Sequence, residues 1–225
     1  MQKVEKRSLY KYMKSGHLEM FLRDGTIRLG TLYEFRDEEM HGNAVGDAGE
    51  GKNTQALTAV DTEEFDLLSN DERAVFARKV FKGWDEFPDG TNLTIRMMPN
   101  SRLELYENSP DLYTFCSSLK FSESDMARMG YDSCLHIKDI DMFFYEITKS
   151  IASFVKGMTG NAVMYSDRVR PYDSEAEVPP AFIKPRAYEY QTEFRAVWSP
   201  SKEEEIKPVI IKCPDARNYC EKYKG

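Results

Sequence analysis

Residues 190–198, Tyr-Gln-Thr-Glu-Phe-Arg-Ala-Val-Trp, combine three side chains that could do chemistry. With the period of two that a strand imposes, Gln191, Glu193 and Arg195 share one face, and bulky, mostly apolar residues share the other. An amide, a carboxylate and a guanidinium then follow one another about 7 Å apart. This face is either an ordinary solvated surface or the lining of a cleft in which Glu193 is the working group.

Two earlier strands carry polar side chains where a core would not need them. Lys11 lies between two tyrosines in the strand predicted over residues 9–13, and Ser117 and Ser118 end the strand predicted over residues 112–118. A lysine, two serines and a glutamate on separate strands suggest a cleft built by a folded sheet rather than a local motif. The alternatives are a lysine that extends to solvent from a strand end and ordinary strand-terminal hydroxyls.

Composition limits the class of protein and of partner. The chain has 225 residues, of which 41% are hydrophobic, enough for one good core or two small ones. Its net charge of −7 argues against binding duplex nucleic acid, although a local basic cleft remains open. No apolar run is long enough to span a membrane and no signal segment follows the charged amino terminus, so we expect a cytoplasmic protein. Four cysteines and three histidines lack metal-ligand spacing, so no metal site is expected.

The elements that must position these residues are many short strands and three to four helices. The opening reads as strand, helix and strand, and Ser15 is predicted to cap the helix, which ends at Asp24-Gly25. The remaining elements are a hairpin of residues 93–97 and 102–106, a helix with its buried stripe at Phe143, Ile147 and Ile151, and a closing helix over residues 214–223.

Regular βαβ alternation is absent from this order, which favours α+β architecture. We therefore predict a single α+β domain over residues 1–225, with mixed and antiparallel split sheets. Residues 41–51 hold four glycines, and residues 61–72 are rich in acids. The segment 41–72 is accordingly predicted to be a mobile, partly acidic insertion.

The order of these pieces resembles the ADP-ribosyltransferase superfamily. Its members place a basic or histidine residue on the first strand, a serine- or tyrosine-bearing strand in the middle and a glutamate on a later strand. Gln191-Thr192-Glu193 looks like the Gln-x-Glu variant of some bacterial toxins. The opening Leu-Tyr-Lys-Tyr and the final Tyr-Gln-Thr-Glu-Phe-Arg also resemble a group of uncharacterised bacterial and phage proteins. Two departures are Lys11 in place of arginine or histidine, and Cys-Ser-Ser in place of Ser-Thr-Ser.

The resemblance implies that NAD is a substrate and that no metal takes part. Departure of nicotinamide leaves an oxocarbenium-like ribose carbon, which Glu193 would stabilise electrostatically. Gln191 would orient the acceptor or a water, and Ser117 or Ser118 would support Glu193 or the ribose. The residues implied in binding the rest of NAD are Ser118, Lys11 with Arg28 or Arg36 for the pyrophosphate, and Tyr12 or Tyr33 for stacking on nicotinamide.

Two functions follow from the same fold. The first is NAD-dependent transfer of ADP-ribose to a macromolecular acceptor, or hydrolysis of NAD. The acidic net charge favours a protein acceptor over nucleic acid. The alternative is a non-catalytic nucleotide- or protein-binding module, such as a bacterial or phage regulator or inhibitor of a host system.

Overall fold

The strand Tyr113–Ser118 lies at the centre of the main β-sheet. The computed structural model describes residues 8–37, 44–86, 93–174 and 178–224. Its strands are β1 (Leu9–Met13), β2 (Thr26–Thr31), β3 (Lys52–Thr58), β4 (Glu63–Asp66), β5 (Thr94–Met97), β6 (Arg102–Asn108), β7 (Tyr113–Ser118), β8 (Ser133–Ile137), β9 (Val155–Ala162), β10 (Met164–Tyr165), β11 (Val169–Pro171), β12 (Ile183–Lys184), β13 (Glu193–Pro200), β14 (Val209–Lys212) and β15 (Cys220–Lys222). Its α-helices are α1 (Ser15–Asp24), α2 (Glu72–Val80), α3 (Glu123–Arg128) and α4 (Ile140–Ile151). Short 3-10 helices lie at Glu34–Arg36, Trp84–Glu86, Pro180–Phe182, Arg186–Gln191 and Pro214–Tyr219.

The main sheet splits along one edge of β7. β13 pairs antiparallel with the whole length of β7, from Glu193 opposite Ser118 to Trp198 opposite Tyr113. Two strands share the other edge of β7. β1 pairs with β7 only at Ser118, and β2 pairs with it only at Thr114 and Tyr113. β1 and β2 therefore diverge, and residues 115–117 face the gap between them. Beyond the gap, β8 and β15 extend the sheet past β1, and β14 extends it past β2.

One face of this sheet carries the main core. α1 and α4 pack on it because their apolar side chains recur at helical spacing. The stripe predicted in α4 is confirmed, since Phe143, Ile147 and Ile151 are all fully buried. Trp198 and Phe115 reach the same core from the two central strands.

Smaller sheets flank the main sheet. β3 pairs antiparallel with β6 and parallel with β11, β4 pairs with β5, and β10 pairs in parallel with β12. A second core lies between these strands and α2, around Leu57, Phe65 and Phe76. Antiparallel and parallel pairs thus occur in one domain of the α+β class, as the sequence predicted.

Local signals set several element boundaries. α1 ends where Gly25 adopts a φ of 76° and donates its amide to Phe21, a conformation that glycine adopts without strain. α4 begins after Asp139, whose side chain accepts the amide of Met142. The prediction that Ser15 caps α1 is wrong, because the N-cap is Lys14 and Ser15 is the first helical residue.

Two other predictions are corrected by the pairing. Residues 93–97 and 102–106 do not form a hairpin, since β5 pairs with β4 and β6 pairs with β3. The predicted closing helix is a 3-10 helix, Pro214–Tyr219, followed by β15, which pairs with β8. The segment 41–72, predicted to be a mobile insertion, contains β3 and β4, and its residues 41–43 lie outside the described residues.

Candidate functional site

A pocket opens where the ends of β1, β7 and β13 meet. It encloses about 550 Å³ that is free of protein atoms, open solvent at its mouth included. Six of the residues singled out from the sequence line it, namely Lys11, Tyr12, Ser117, Ser118, Gln191 and Glu193. Side chains about 180 positions apart in the chain therefore share one cavity.

Glu193 is the first residue of β13 and is held at both its backbone and its side chain. Its side chain is only 4% exposed. Carboxylate Oε1 accepts from Nε of Arg195 and Oε2 accepts from Nζ of Lys184, each at 2.8 Å. Its backbone amide donates to the hydroxyl of Tyr165 at 2.7 Å. The carboxylate is thus fixed between two cations.

These cations belong to a buried cluster of four charges. Nη1 of Arg195 also donates to Oε1 of Glu50 at 2.7 Å, and Nζ of Lys184 lies 3.7 Å from Oε2 of Glu50. Two carboxylates and two cations leave the cluster with no net charge. All four side chains are at most 5% exposed, so solvent screens their interactions very little. Arg195 therefore pairs with two acids, Glu50 and Glu193.

The cluster keeps its carboxylate ionised. Burial by itself raises the pKa of Glu193, but the charges of Arg195 and Lys184 outweigh burial and hold that pKa well below its usual range. Burial lowers the pKa of Lys184, and the carboxylates of Glu193 and Glu50 outweigh it and raise the pKa. Glu193 is therefore an anion at neutral pH and stays one in mild acid.

Gln191 lies in the pocket lining, but on a different element from the strand that the sequence predicted. The strand predicted over residues 190–198 begins only at Glu193, because Arg186–Gln191 is a 3-10 helix and Thr192 has a φ of 41° in the left-handed region. The expectation that Gln191 and Glu193 lie on one strand face is wrong. Both nevertheless bind Lys184, since Oε1 of Gln191 accepts from its Nζ at 2.9 Å. Nε2 of Gln191 donates to the carbonyl of Ala44 at 2.8 Å, which fixes the orientation of the amide.

The two serines of β7 lie on opposite faces of the strand. Ser118 is directly opposite Glu193 and shares its face, and its hydroxyl lies 2.7 Å from the hydroxyl of Thr192 and donates to the carbonyl of Lys120 at 2.6 Å. Ser117 is opposite Phe194, and its hydroxyl donates to that residue's carbonyl at 3.3 Å. Ser118 is thus the serine whose side chain accompanies Glu193.

Lys11 crosses the gap in the split sheet. Its Nζ donates to the carbonyl of Cys116 at 2.7 Å, which lies in the part of β7 that no strand covers on that edge. The ammonium also lies 4.7 Å from the centre of the Phe115 ring. Burial lowers the pKa of Lys11, and it raises the pKa of the Cys116 thiol to about 12. A thiol with that pKa is protonated at neutral pH and is a poor nucleophile.

The other predicted binding residues divide into two groups. Arg28 lines a groove of about 1,010 Å³, open solvent included, that shares Lys11 and Tyr12 with the pocket. Arg28 itself forms an ion pair with Glu34. Tyr33 and Arg36 are not brought to the pocket lining.

Tyr33 and Arg36 instead contact each other and the backbone of two other segments of the protein. The guanidinium of Arg36 stacks over the Tyr33 ring at 3.6 Å and donates to the carbonyl of Glu50 at 2.8 Å. The hydroxyl of Tyr33 donates to the carbonyl of Ser109. Arg36 therefore contacts the segment that carries Glu50, and Tyr33 contacts the residues that follow β6.

Sequence reasoning missed Lys184, Glu50 and Tyr165 as parts of the site. Lys184 and Tyr165 lie on strands of two residues each, too short to show a period, and Glu50 lies in a glycine-rich segment. One signal for them was available in the sequence. Buried charges must be paired, so a strand with Glu193 and Arg195 on a buried face requires further charged partners. That rule requires a partner but does not say which one.

Neither a metal cluster nor a membrane span is found in the described part of the chain. Residues 8–37, 44–86, 93–174 and 178–224 include no group of three His, Cys, Asp or Glu side chains placed to hold a metal ion. Within the same ranges no helix is long and apolar enough to cross a membrane.

Scans against models of known protein families, against curated proteins and against solved structures found no match to this chain. The resemblance to ADP-ribosyltransferases therefore stays a prediction that rests on the quoted residues.

Proposed function

We propose that the pocket binds NAD and that Glu193 stabilises the ribosyl centre while ADP-ribose passes to a macromolecular acceptor or to water. One observation carries this proposal: Lys11, Ser118, Gln191 and Glu193 line a single pocket although they come from separate elements. The resemblance required this convergence, and spacing along the chain does not produce it.

The proposed reaction breaks the bond between nicotinamide and the ribose carbon C1′. The bonding electrons leave with nicotinamide, which becomes neutral, and positive charge develops on the ribose ring. A nucleophilic oxygen or nitrogen of the acceptor then bonds to C1′ and loses its proton to solvent. An ionised carboxylate beside the ring stabilises the developing charge, and the depressed pKa of Glu193 supports that role.

The surrounding groups fit the remaining parts of the ligand. The hydroxyl of Tyr12 donates to the carbonyl of Lys120 and accepts the amide of Ser122, so its ring is fixed at the pocket wall and suits stacking. Among the described residues, the ammonium of Lys11 donates to Cys116 alone, which leaves two of its hydrogens for a ligand, and Arg28 lies along the adjoining groove. These cations suit a pyrophosphate. The acidic net charge favours a protein acceptor.

A non-catalytic binding module is the second candidate. The observation in its favour is that both carboxylate oxygens of Glu193 already have cationic partners, with no net charge in the cluster. In that case the pocket binds a nucleotide, and the carboxylate serves only the buried network.

Nicotinamide release from NAD, measured with pure protein, separates the two candidates. We expect release by the wild type and a rate about 100- to 1,000-fold lower for Glu193→Gln, the range for loss of one electrostatic stabiliser. The matched control is Glu221→Gln, which removes an exposed carboxylate paired with Lys138 and should leave the rate unchanged. Ser118→Ala is a second variant in case Glu193→Gln is poorly folded.

The outcomes are distinct. Equal release by the wild type and Glu193→Gln would remove Glu193 from the mechanism. Calorimetric binding of NAD without release supports the binding module. If the protein neither binds NAD nor releases nicotinamide from it, both candidates are contradicted.

A further inference from the structure

Two strands of two residues each hold Glu193 from outside the main sheet. β10 and β12 pair in parallel, and Tyr165 of β10 lies in register with Lys184 of β12. The hydroxyl of Tyr165 accepts the backbone amide of Glu193, and the ammonium of Lys184 donates to its carboxylate. Because side chains in register on adjacent strands lie side by side, the two contacts act on one residue together.

Lys184 also joins the two polar residues of the Gln-x-Glu sequence. Its Nζ donates to Oε1 of Gln191 at 2.9 Å and to Oε2 of Glu193 at 2.8 Å. Because the amide oxygen of Gln191 is used in this way, its nitrogen must point elsewhere, and it donates to Ala44. One buried ammonium therefore sets the orientation of an amide and of a carboxylate that belong to different elements.

We propose that Lys184 is the positioning residue of this site, which fixes Gln191 and Glu193 in one arrangement and excludes the carboxylate from proton transfer. The inference rests on the proposed function where it concerns the reaction. A carboxylate held between two cations stays ionised and is a weak base, so it supplies an electrostatic field and is a poor general base. The acceptor must then be nucleophilic without help from Glu193, or lose its proton to another group.

The charge balance shows why this arrangement depends on Lys184. The titratable groups that face Glu193 are Lys184, Arg195, Lys11, Cys116, Tyr165 and, through the two cations, Glu50. Without Lys184, the carboxylates of Glu50 and Glu193 share the single guanidinium of Arg195. A buried cluster with one surplus negative charge takes up a proton at a higher pH than the intact, neutral cluster does.

The experiment follows the carboxylate of Glu193 by carbon NMR from pH 3 to pH 8, with its resonance assigned through Glu193→Gln. The variants are Lys184→Met, which keeps the length and removes the charge, and Lys184→Arg, which restores the charge. Lys138→Met is the matched control, because it deletes the exposed lysine of the Lys138–Glu221 pair. We expect the wild-type carboxylate to stay ionised across this range and that of Lys184→Met to take up a proton within it, with wild-type behaviour in Lys184→Arg and in Lys138→Met.

The same variants are compared in nicotinamide release. We expect Lys184→Met to lower kcat by about 100-fold with little change in KM, since a small misplacement of a positioned group costs about that much. Lys184→Arg should recover part of the loss. A purely structural lysine would lower the melting temperature and leave kcat of the folded fraction unchanged, which would overturn the inference.

Failure of this inference can be told apart from failure of the proposed function. Coincident NMR titrations in wild type and Lys184→Met overturn the role of Lys184 whatever the activity. A shifted titration in a protein that releases no nicotinamide retains the positioning role and removes the proposed reaction.

Discussion

Replacing Arg195 with methionine tests the buried charge cluster most severely. Arg195 is fully buried and donates to Glu193, to Glu50 and to the carbonyl of Ala181. In Arg195→Met, two carboxylates remain with one lysine, so the cluster changes from no net charge to a net charge of −1. Removal of one partner from a buried ion pair costs about 3–5 kcal/mol, because the remaining charge is left uncompensated.

The compensating variant is Glu50→Gln. Glu50→Gln alone leaves a net charge of +1, and the double variant Arg195→Met/Glu50→Gln returns the cluster to neutrality. We therefore expect the double variant to be less destabilised than the sum of the single variants, by about 1–3 kcal/mol. For a chain of this size, the loss in Arg195→Met corresponds to a fall in melting temperature of about 6–20 °C.

Urea unfolding followed by circular dichroism and by tryptophan fluorescence measures these free energies of unfolding. Trp198 is a suitable probe because it is fully buried and donates to the hydroxyl of Thr148. The control cycle uses the exposed pair Lys138–Glu221, whose coupling should be about 0–1 kcal/mol. Additive effects of Arg195→Met and Glu50→Gln, within about 0.5 kcal/mol, would refute the account of the cluster.

Three further predictions concern stability and reactivity. Gly25→Ala should unfold at a lower urea concentration than Gly130→Ala. Both glycines have a φ near 77°, but only at Gly25 would a Cβ lie 2.5 Å from backbone atoms, and equal unfolding midpoints would contradict this. Phe143→Ala should cost about 3–5 kcal/mol in urea unfolding, and Tyr145→Ala on the exposed face of the same helix less than about 1, since only Phe143 is fully buried. The thiol of Cys116 should react with iodoacetamide at pH 8 far more slowly in native protein than in urea, because desolvation raises its pKa to about 12, and fast labelling of the native protein would contradict that raised pKa.

The sequence was sufficient for features that depend on local patterns. The stripe of α4 and the glycine that ends α1 follow from helical periodicity and from a left-handed backbone conformation, and both are present. The polar residues that line the pocket were singled out because a core does not require a lysine between tyrosines or a glutamate on a bulky strand. Their placement on separate strands suggested a shared cleft, and the family resemblance gave the same expectation.

The remaining features depend on contacts between distant parts of the chain. Thr94–Met97 and Arg102–Asn108 look like a hairpin, yet each finds its partner in the segment 52–66. Lys184 has only one strand neighbour in sequence, so no periodicity reveals that it is buried. Its role follows from the requirement that buried charges be paired, which acts only after the fold has brought Glu50, Glu193 and Arg195 together.

A structure of the protein bound to an NAD analogue with an uncleavable bond between nicotinamide and ribose tests the central claim most directly. We predict the nicotinamide ribose in the pocket, with a hydroxyl about 2.6–3.2 Å from the carboxylate of Glu193. A ribose bound elsewhere, with that carboxylate in contact only with Lys184 and Arg195, would contradict it.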